Sequence, residues 1–493
     1  MISKLTYHIF LLLLFVTAIQ GFAQKETGIT IGTSGANNAT VTLVLEDVRF
    51  HPNLGIGLAD TELKTISSFN FKDTPSEKTV LDITEPKMVR LQFAGAGISR
   101  TWMLFMQPGD DLIVMFSANA DVAYAGTNAQ YQDYLRSYFM LNQYQYLPVF
   151  GYKPAQVENK IVVQQSDSLQ RLRVTSFAKF KAEHNPVPAF EAYINATITT
   201  EPQVIRQLIY EKLLRRNRIA KLDETQRKLL EDMTLAEFKV LSDDALLSKS
   251  YRDELRNWAL IPSTRKFPLE LNSRYEISAE ALKDVYAFSK EKLADFPKQK
   301  EYLLTYWLNY AVTAIPTLET GKELLEDYKV TFPKSPYTDY LAGLIKTRES
   351  LEPGSALPEI TLLDTDSSAV DMKQLEGKPL VMVFAFSIGQ HEPGLKVLEE
   401  KYKGKVTFAY VSVLPGIQLR TLKQYSANRP GVKHLYASDE NIELLKTRYA
   451  LDIRFPFLVA DASGKIINRW IPPEFPTNKT LDAEILKATT IGQ

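Results

Sequence analysis

Cysteine is the residue type whose absence limits the chemistry of this chain most. The sequence has 493 residues and no cysteine. Thiol–disulfide exchange needs a thiolate that attacks a disulfide sulfur, so the chain's own side chains have no means of carrying it out. Disulfides and the cysteine-containing zinc, iron–sulfur and haem motifs are excluded for the same reason. Stability must therefore come from burial alone.

Histidine is the next candidate, because an imidazole can act as acid, base or metal ligand near neutral pH. No two histidines show metal-ligand spacing, and neither a Gly-x-Ser-x-Gly elbow nor a His-Glu-x-x-His motif is present. We therefore predict no metal and no cofactor. His391 and Glu392 stand together at a predicted helix entrance and could transfer protons, but such a pair is more typical of polar surface. The five histidines are His8, His51, His184, His391 and His434.

Charge and length narrow the class of protein further. Lys and Arg number 58, and Asp and Glu also number 58. A neutral chain has no electrostatic reason to bind nucleic acid or an anionic membrane surface, so we expect no nucleic-acid partner. The length is too great for one ordinary core and predicts several domains.

Residues 1–23 have the features of an export signal. Lys4 supplies a positive start, Ile9 to Ile19 form an apolar run, and Gly21-Phe22-Ala23 place small residues at the positions that signal cleavage requires. A bilayer span needs about 20 apolar residues, more than this run or any later segment offers. We expect an exported, soluble mature chain from Gln24 without a transmembrane segment, periplasmic or secreted. An uncleaved anchor is the alternative.

Residues 24–125 are predicted to form an all-β, sandwich-like domain. Several short segments alternate or cluster apolar residues at strand length, and Gly and Asp separate them. Short strands joined by turns pack most simply as two sheets face to face. The segments are Ala39–Leu45, Val89–Phe93, Trp102–Met106 and Asp111–Phe116.

Residues 126–350 are predicted to form an all-α region that ends in a linker. Tyr131, Tyr134, Leu135 and Tyr138 line one face of a helix. We interpret this stripe as a core face, and a ligand-binding stripe is the alternative. Further helices are predicted over 157–184, 188–199, 201–217, 224–240, 243–259, 278–294, 299–313 and 318–330, with prolines such as Pro202 and Pro262 at their boundaries.

Residues 351–493 change to an α/β pattern after a linker from Ser350 to Pro358. Leu380–Phe386 and Val406–Val413 are near-continuous apolar runs, which are typical of strands buried on both faces. A first pair of short strands is predicted over 360–363 and 369–372, and a closing hairpin over 457–461 and 465–470. Helices are predicted over 393–402, 417–427, 440–449 and 481–489.

Three pieces of this last domain occur in a specific order: Leu375-Glu-Gly-Lys-Pro-Leu-Val-Met-Val-Phe384, a helix entered after Ser387, and Ile453-Arg-Phe-Pro-Phe-Leu-Val-Ala-Asp-Ala-Ser-Gly-Lys465. In this order they resemble the bacterial exported thioredoxin-like family of thiol–disulfide oxidoreductases and their peroxiredoxin relatives. The resemblance covers roughly residues 356–493 and implies a thioredoxin-like fold with Pro456 in the cis-proline position. The preceding regions are similar to a common bacterial arrangement, in which a small β-domain and a helical region precede such a domain.

The chain departs from that family at its active site. The family carries Trp-Cys-x-x-Cys at the start of the first helix, where this chain has Ser387-Ile-Gly-Gln-His-Glu-Pro393. Gly389 and Glu392 occupy the two cysteine positions in this alignment. Glycine has no nucleophile and glutamate forms no mixed disulfide, so the resemblance implies the fold without the family's redox activity. A shift of the alignment by one residue changes nothing, because no cysteine exists to move into place.

A second property of the family does not need cysteine. The resemblance implies that the backbone before Pro456 faces the site and can pair with an extended peptide. Ile388, His391, Phe455 and Pro456 would then rim a shallow apolar groove for a peptide or protein. The alternative is that Pro456 only ends a loop and that Phe455 packs in the core.

These observations lead to one expectation and two alternatives. We expect a redox-inactive thioredoxin-like protein of the cell envelope that serves as a binding or structural module for a peptide or protein partner. An oxidoreductase by fold only is one alternative, with no activity expected without cysteine. An enzyme or small-ligand binder in the helical region is the other.

Overall fold

A computed structural model describes residues 38–45, 53–58, 68–70, 76–95, 98–116, 121–138, 159–216, 224, 228, 238–267, 270–271, 275–386, 391–413, 419–429, 431–438, 441–474 and 477–491. The predicted signal segment and most of the predicted helix over 224–240 lie outside these residues. The chain divides into two compact units, one of Met1–Leu147 with Leu172–Glu191 and one of Pro148–Arg171 with Ala192–Gln493.

The described strands of the first unit form two four-stranded sheets. One sheet has the order β4-β1-β7-β8 and the other β3-β2-β5-β6. Strands β1 and β7 are parallel, and the other neighbours are antiparallel. The strands are β1 (Asn38–Leu45), β2 (Asn53–Leu58), β3 (Ser68–Asn70), β4 (Ser76–Asp82), β5 (Lys87–Gly95), β6 (Ile98–Met106), β7 (Asp111–Phe116) and β8 (Val122–Gly126).

Side chains from both sheets form one hydrophobic cluster. Strand β7 shows how the sequence produces it, because Leu112, Val114 and Phe116 are buried while the residues between them are more exposed. Leu104 and Met106 of β6, in the other sheet, belong to the same cluster. Alternation at a period of two places the apolar side chains of each strand on one face, and the two apolar faces bury each other.

The tyrosine stripe is part of the core of the first unit. Residues 129–138 are helical (α1). Tyr131, Leu135 and Tyr138 each keep 3% or less of their surface exposed. The ring of Tyr131 stacks on Phe190, with 4.3 Å between the ring centroids. The interpretation of this stripe as a core face is therefore confirmed.

Seven long helices follow between residues 159 and 349 in the part of the chain that the structure describes. They are α2 (Asn159–His184), α3 (Pro188–Arg216), α4 (Lys249–Lys266), α5 (Ala279–Lys292), α6 (Pro297–Ala314), α7 (Glu319–Thr331) and α8 (Thr338–Glu349). Helices α4 to α8 pack around one apolar cluster in which Trp307 and Leu304 are almost fully buried.

Two prolines that were predicted to end helices lie inside them. Pro202 is within α3, so the helices predicted over 188–199 and 201–217 are one helix. Pro262 is within α4, which runs on to Lys266. A proline inside a helix costs about 3 kcal/mol. Burial of neighbours such as Ala196 and Ala259, which keep 1% and 0% of their surface exposed, opposes that cost.

The helical region differs from the expectation in two further details. It is not wholly helical, because β9 (Glu270–Leu271) pairs with β10 (Tyr275–Glu276), and strands of two residues are too short to produce an alternating pattern. Helix α8 forms where no helix was predicted. Its buried stripe consists of Leu341, Ile345 and Arg348. The arginine at the third position conceals the apolar periodicity.

The C-terminal part of the second unit is one seven-stranded mixed sheet in the order β12-β11-β15-β14-β13-β16-β17. Strands β13, β14 and β15 run parallel to one another, β16 is antiparallel to β13, and β17 is antiparallel to β16. The strands are β11 (Thr361–Leu363), β12 (Ala369–Asp371), β13 (Leu380–Ala385), β14 (Thr407–Ser412), β15 (Lys433–Tyr436), β16 (Phe457–Ala460) and β17 (Ile466–Ile471).

Helices cover both faces of this sheet. They are α9 (Glu392–Lys401), α10 (Leu419–Ala427), α11 (Ile442–Arg448) and α12 (Lys479–Thr490). Strand β13 is buried throughout: Met382 and Phe384 enter one hydrophobic cluster, and Val381 and Val383 enter another on the opposite face. This confirms the prediction of a strand buried on both sides. Strand β15 was not predicted.

The predicted linker is hydrogen-bonded to the sheet. The amide of Gly354 donates to the carbonyl of Ile466 at 2.7 Å, and the amide of Ile466 donates to the carbonyl of Ser355 at 2.8 Å. The amide of Leu357 donates to the carbonyl of Gly464 at 2.9 Å. This segment therefore pairs with the start of β17 rather than spanning a gap between domains.

Candidate functional site

The predicted site residues belong to segments that meet at one end of the C-terminal sheet. Strand β13 ends at Ala385, and α9 begins at Glu392, directly after His391. Strand β16 is antiparallel to β13, with Val383 opposite Phe457. The loop before β16 therefore lies at the same end of the sheet as the entrance to α9. We call residues 452–456 the docking loop.

His391 is the predicted site residue that the structure describes at the helix entrance. Its φ angle of 70° lies in the left-handed region, which histidine tolerates better than most residues. Its half-buried ring stands edge-on to Phe457, with 5.5 Å between the ring centroids. Ile388 and Gly389 lie outside the described residues. Glu392 begins α9, and its side chain also lies outside the description.

Phe455 and Pro456 are buried at the end of the docking loop. Phe455 keeps 6% of its surface exposed, and its ring packs edge-on against Trp470 at a centroid distance of 5.8 Å. The carbonyl of Pro456 accepts a hydrogen bond of 2.8 Å from the amide of Phe384 in β13. The structure thus brings His391 next to this loop through Phe457. The groove that these residues would rim remains a prediction.

The backbone of Phe455 is hydrogen-bonded within the protein. Its amide donates to the carbonyl of Asp452 at 3.0 Å, and its carbonyl accepts from the guanidinium of Arg469. An extended peptide that paired with this residue would have to replace both bonds, since buried backbone groups need a partner.

Arg469 is a residue of this site that sequence reasoning did not identify. It has no exposed surface. Its guanidinium donates to the carbonyls of Tyr449 at 2.9 Å, of Ala450 and Phe457 at 3.3 Å, and of Phe455. Burial lowers the pKa of Arg469 to about 9, which leaves it cationic at neutral pH. An arginine on a strand predicts a solvent-facing side chain, and no local pattern reveals that these carbonyls surround it.

Arg454 and Asp452 form an ion pair within the docking loop. Nη2 and Nε of Arg454 lie 2.6 and 2.9 Å from the two carboxylate oxygens of Asp452. Burial by itself lowers the pKa of Arg454, but the hydrogen bonds and charge of Asp452 outweigh it and raise the pKa. Paired and partly shielded from water, the two side chains hold each other in one geometry.

A third guanidinium, that of Arg348, lies close to the loop. The guanidinium carbon of Arg348 in α8 lies 3.7 Å from the centre of the Trp470 ring, a cation–π contact. Arg348 is 2% exposed, and burial lowers its pKa to about 10. Arg469 also lies near this ring, with its guanidinium carbon 5.1 Å from the ring centre.

Another buried polar cluster lies on the α9 side of the sheet. The hydroxyl of Tyr410 donates to the Glu399 carboxylate at 2.6 Å, Arg429 pairs with the same carboxylate, and His434 stacks on Tyr410 at 5.6 Å. The charge of Glu399 and burial raise the pKa of Tyr410, burial having the larger effect. The carboxylate is bonded to two groups of the cluster, which is the pattern of a structural network.

The residues described contain no group of three or more His, Cys, Asp or Glu placed to hold a metal ion. Among them there is also no helix with the length and hydropathy that crossing a membrane requires.

No protein-family model matches the chain, and no curated protein matches it. Solved structures match about a quarter of it. A putative thiol-disulfide oxidoreductase from Bacteroides vulgatus is 20% identical, over 28% of this chain and 98% of its own, with a TM-score of 0.24. The thioredoxin domain of a thiol-disulfide oxidoreductase from the same organism is 19% identical, over 28% of this chain and 99% of its own, also with a TM-score of 0.24.

A putative electron transfer protein from Aquifex aeolicus is 17% identical, over 27% of this chain and 97% of its own, with a TM-score of 0.24. The structures to which this chain is similar thus include thioredoxin-like thiol-disulfide oxidoreductases. At these identities and TM-scores, the likenesses establish no activity, substrate or partner for it.

Proposed function

We propose that the C-terminal domain is a redox-inactive thioredoxin-like module that acts through non-covalent contacts. The observation that carries this proposal is the strand order β14-β13-β16-β17. A parallel β13–α9–β14 unit is followed by the antiparallel hairpin β16–β17 and the closing helix α12, which is the arrangement expected of a thioredoxin-like fold. The chain contains no cysteine with which to use it for redox chemistry.

The module serves as a binding or structural unit for a peptide or protein partner. In this proposal Ile388 and the half-buried His391 contribute one side of the groove, and Phe455 and Pro456, which are buried, contribute its floor. An apolar floor beside a single polar ring suits an uncharged or apolar segment of a partner. Gly389 and Glu392, at the aligned cysteine positions, take no part in covalent chemistry.

The proposal places the protein in the cell envelope, periplasmic or secreted. This location is supported by the export-signal features that precede Gln24: a positively charged start, an apolar run and small residues at the cleavage positions.

Affinity capture from envelope extract tests the binding role. The wild type and His391→Ala serve as baits, and His184→Ala is a matched control because His184 likewise contacts one aromatic ring, Phe180, at 4.7 Å. Loss of a central contact weakens an interface by about tenfold, so we expect His391→Ala to recover about a tenth of each specific partner. His184→Ala should recover the wild-type amount. Equal recovery by all three baits would contradict a partner site at His391.

A further inference from the structure

The C-terminal turn of α6 receives a guanidinium group from α8. Arg348 donates to the carbonyls of Ile315 and Pro316, each at 2.7 Å, and to the carbonyl of Val312. The last carbonyls of a helix have no partner within the helix and carry its partial negative charge. A fixed cation there both completes their hydrogen bonds and opposes their charge.

A second guanidinium reaches the same turn from the docking loop. Nη2 of Arg454 lies 3.2 Å from the carbonyl oxygen of Thr313 and 3.3 Å from its hydroxyl oxygen. The same Nη2 donates to the Asp452 carboxylate at 2.6 Å, which holds Arg454 in place. We call Arg348 and Arg454 together the arginine clamp, since they hold neighbouring carbonyls of one helix end.

Both arms of the clamp connect this helix end to the docking loop. Arg454 is itself a loop residue. Arg348 stacks on Trp470 at 3.7 Å, and Trp470 in turn packs against Phe455 at a centroid distance of 5.8 Å. The end of α6 therefore contacts the docking loop in two ways. Arg454 makes the contact directly, and Arg348 makes it indirectly, through Trp470 and Phe455.

The docking loop has little surface left for a partner from outside. Ile453 is the most exposed residue of the loop, with 50% of its surface accessible. The amide and carbonyl of Phe455, which an added strand would need, are bonded to Asp452 and Arg469.

We propose that the docking loop is committed to an internal partner, the C-terminal turn of α6, and does not pair with an extended peptide from outside. This inference rests on the proposed function, because it takes residues 452–456 as the docking loop of a thioredoxin-like module. The two arginines recognise backbone carbonyl oxygens at the end of α6. This recognition does not depend on which side chains that turn carries. An outside partner is left the His391 side of the groove.

Amide hydrogen exchange of the full mature chain tests this commitment. The variant Arg454→Met with Asp452→Asn removes one arm and leaves no unpaired carboxylate. We expect exchange to become about tenfold faster at residues 310–316 and 452–456, with β13 and β14 unchanged, because local opening follows the contacts that are lost. Arg448→Met is the matched control, since Arg448 also donates to a backbone carbonyl, that of Glu359, but away from α6.

Unchanged exchange at residues 310–316 in the clamp variant would overturn the proposal. If that variant also loses protection in β13 and β14, the milder Arg454→Lys decides, since it keeps the charge but cannot span Asp452 and Thr313 together. A local rise in exchange in Arg454→Lys supports the commitment, and its absence overturns it. Failure of the proposed function would be seen separately, as thiol turnover by the wild type or as equal capture by the three baits.

Discussion

Arg469 lies in β17 with its guanidinium surrounded by backbone carbonyls from both sides of the docking loop. Tyr449 and Ala450 precede the loop, and Phe455 and Phe457 stand at its end. Removal of the guanidinium would take a hydrogen-bond donor away from each of these carbonyls. The shape of the loop thus depends on a side chain from another strand.

Arg469→Met tests that dependence. The substitution keeps an apolar stem of similar length but removes every hydrogen bond, and bonds to a charged donor contribute about 1.5–3 kcal/mol each. We expect the free energy of unfolding of the C-terminal module to fall by about 3 kcal/mol or more. Urea denaturation, monitored by hydrogen exchange of the amides in β13 and β14, measures this free energy.

Arg448→Met is the control for this substitution, because Arg448 is exposed and its loss should change stability by less than about 0.5 kcal/mol. If the two variants unfold at the same urea concentration, the carbonyls around Arg469 find other partners and the loop does not depend on it.

The sequence predicted some residues of the candidate site and did not point to others, for a physical reason. His391, Phe455 and Pro456 follow from their order along the chain, which the resemblance preserves. Arg348 and Arg469 are buried, and their guanidinium groups donate to carbonyls from distant segments of the chain. Arginine as a residue type is usually exposed, so the sequence predicts the opposite. Burial of an arginine is a property of the folded chain, so no local pattern reports it.

At the scale of elements, strong periodicity predicted structure well. The apolar runs of β13 and β14 and the apolar face of α6 come within a few residues of the observed bounds. Strand β15 was missed because Lys433 and His434 interrupt its short sequence. Prolines were given too much weight as helix ends, because local propensity is weaker than the burial of the surrounding helix.

The hairpin between β7 and β8 depends on a glycine. Gly126 has a φ angle of 90°, and a Cβ atom there would lie 2.1 Å from the carbonyl oxygen of Asp111. We expect Gly126→Ala to destabilise the first unit by about 2 kcal/mol or more, since backbone strain and overlap add. The thermal midpoint of the mature protein should fall accordingly, measured by calorimetry.

Gly109→Ala is the control that separates backbone strain from steric overlap of the added Cβ atom. Gly109 has a φ angle of 85° but no atom within 4 Å of a Cβ. This control should lose only about 1–2 kcal/mol, the cost of the left-handed backbone. Equal midpoints for the two variants would show that the close approach at Gly126 is relieved at no cost.

At the scale of the whole molecule, the second unit includes both the helices α4 to α8 and the C-terminal sheet. A domain without cysteine can still contribute a rigid surface. In our proposal the thioredoxin-like module uses that surface in two ways, holding the end of α6 on one side and contacting a partner on the other. The central premise of the proposal is that a chain without cysteine has no thiol redox activity of its own.

Insulin reduction by the purified mature chain, with glutathione or dithiothreitol as reductant, tests that premise most directly. The matched variant Gly389→Cys with Glu392→Cys places a thiol pair at the aligned positions and should reduce insulin faster than the reductant alone, because a helix entrance lowers a thiol pKa. The account predicts a wild-type rate equal to that of the reductant alone. A wild-type rate above it, in protein free of contaminating enzymes, would contradict the account.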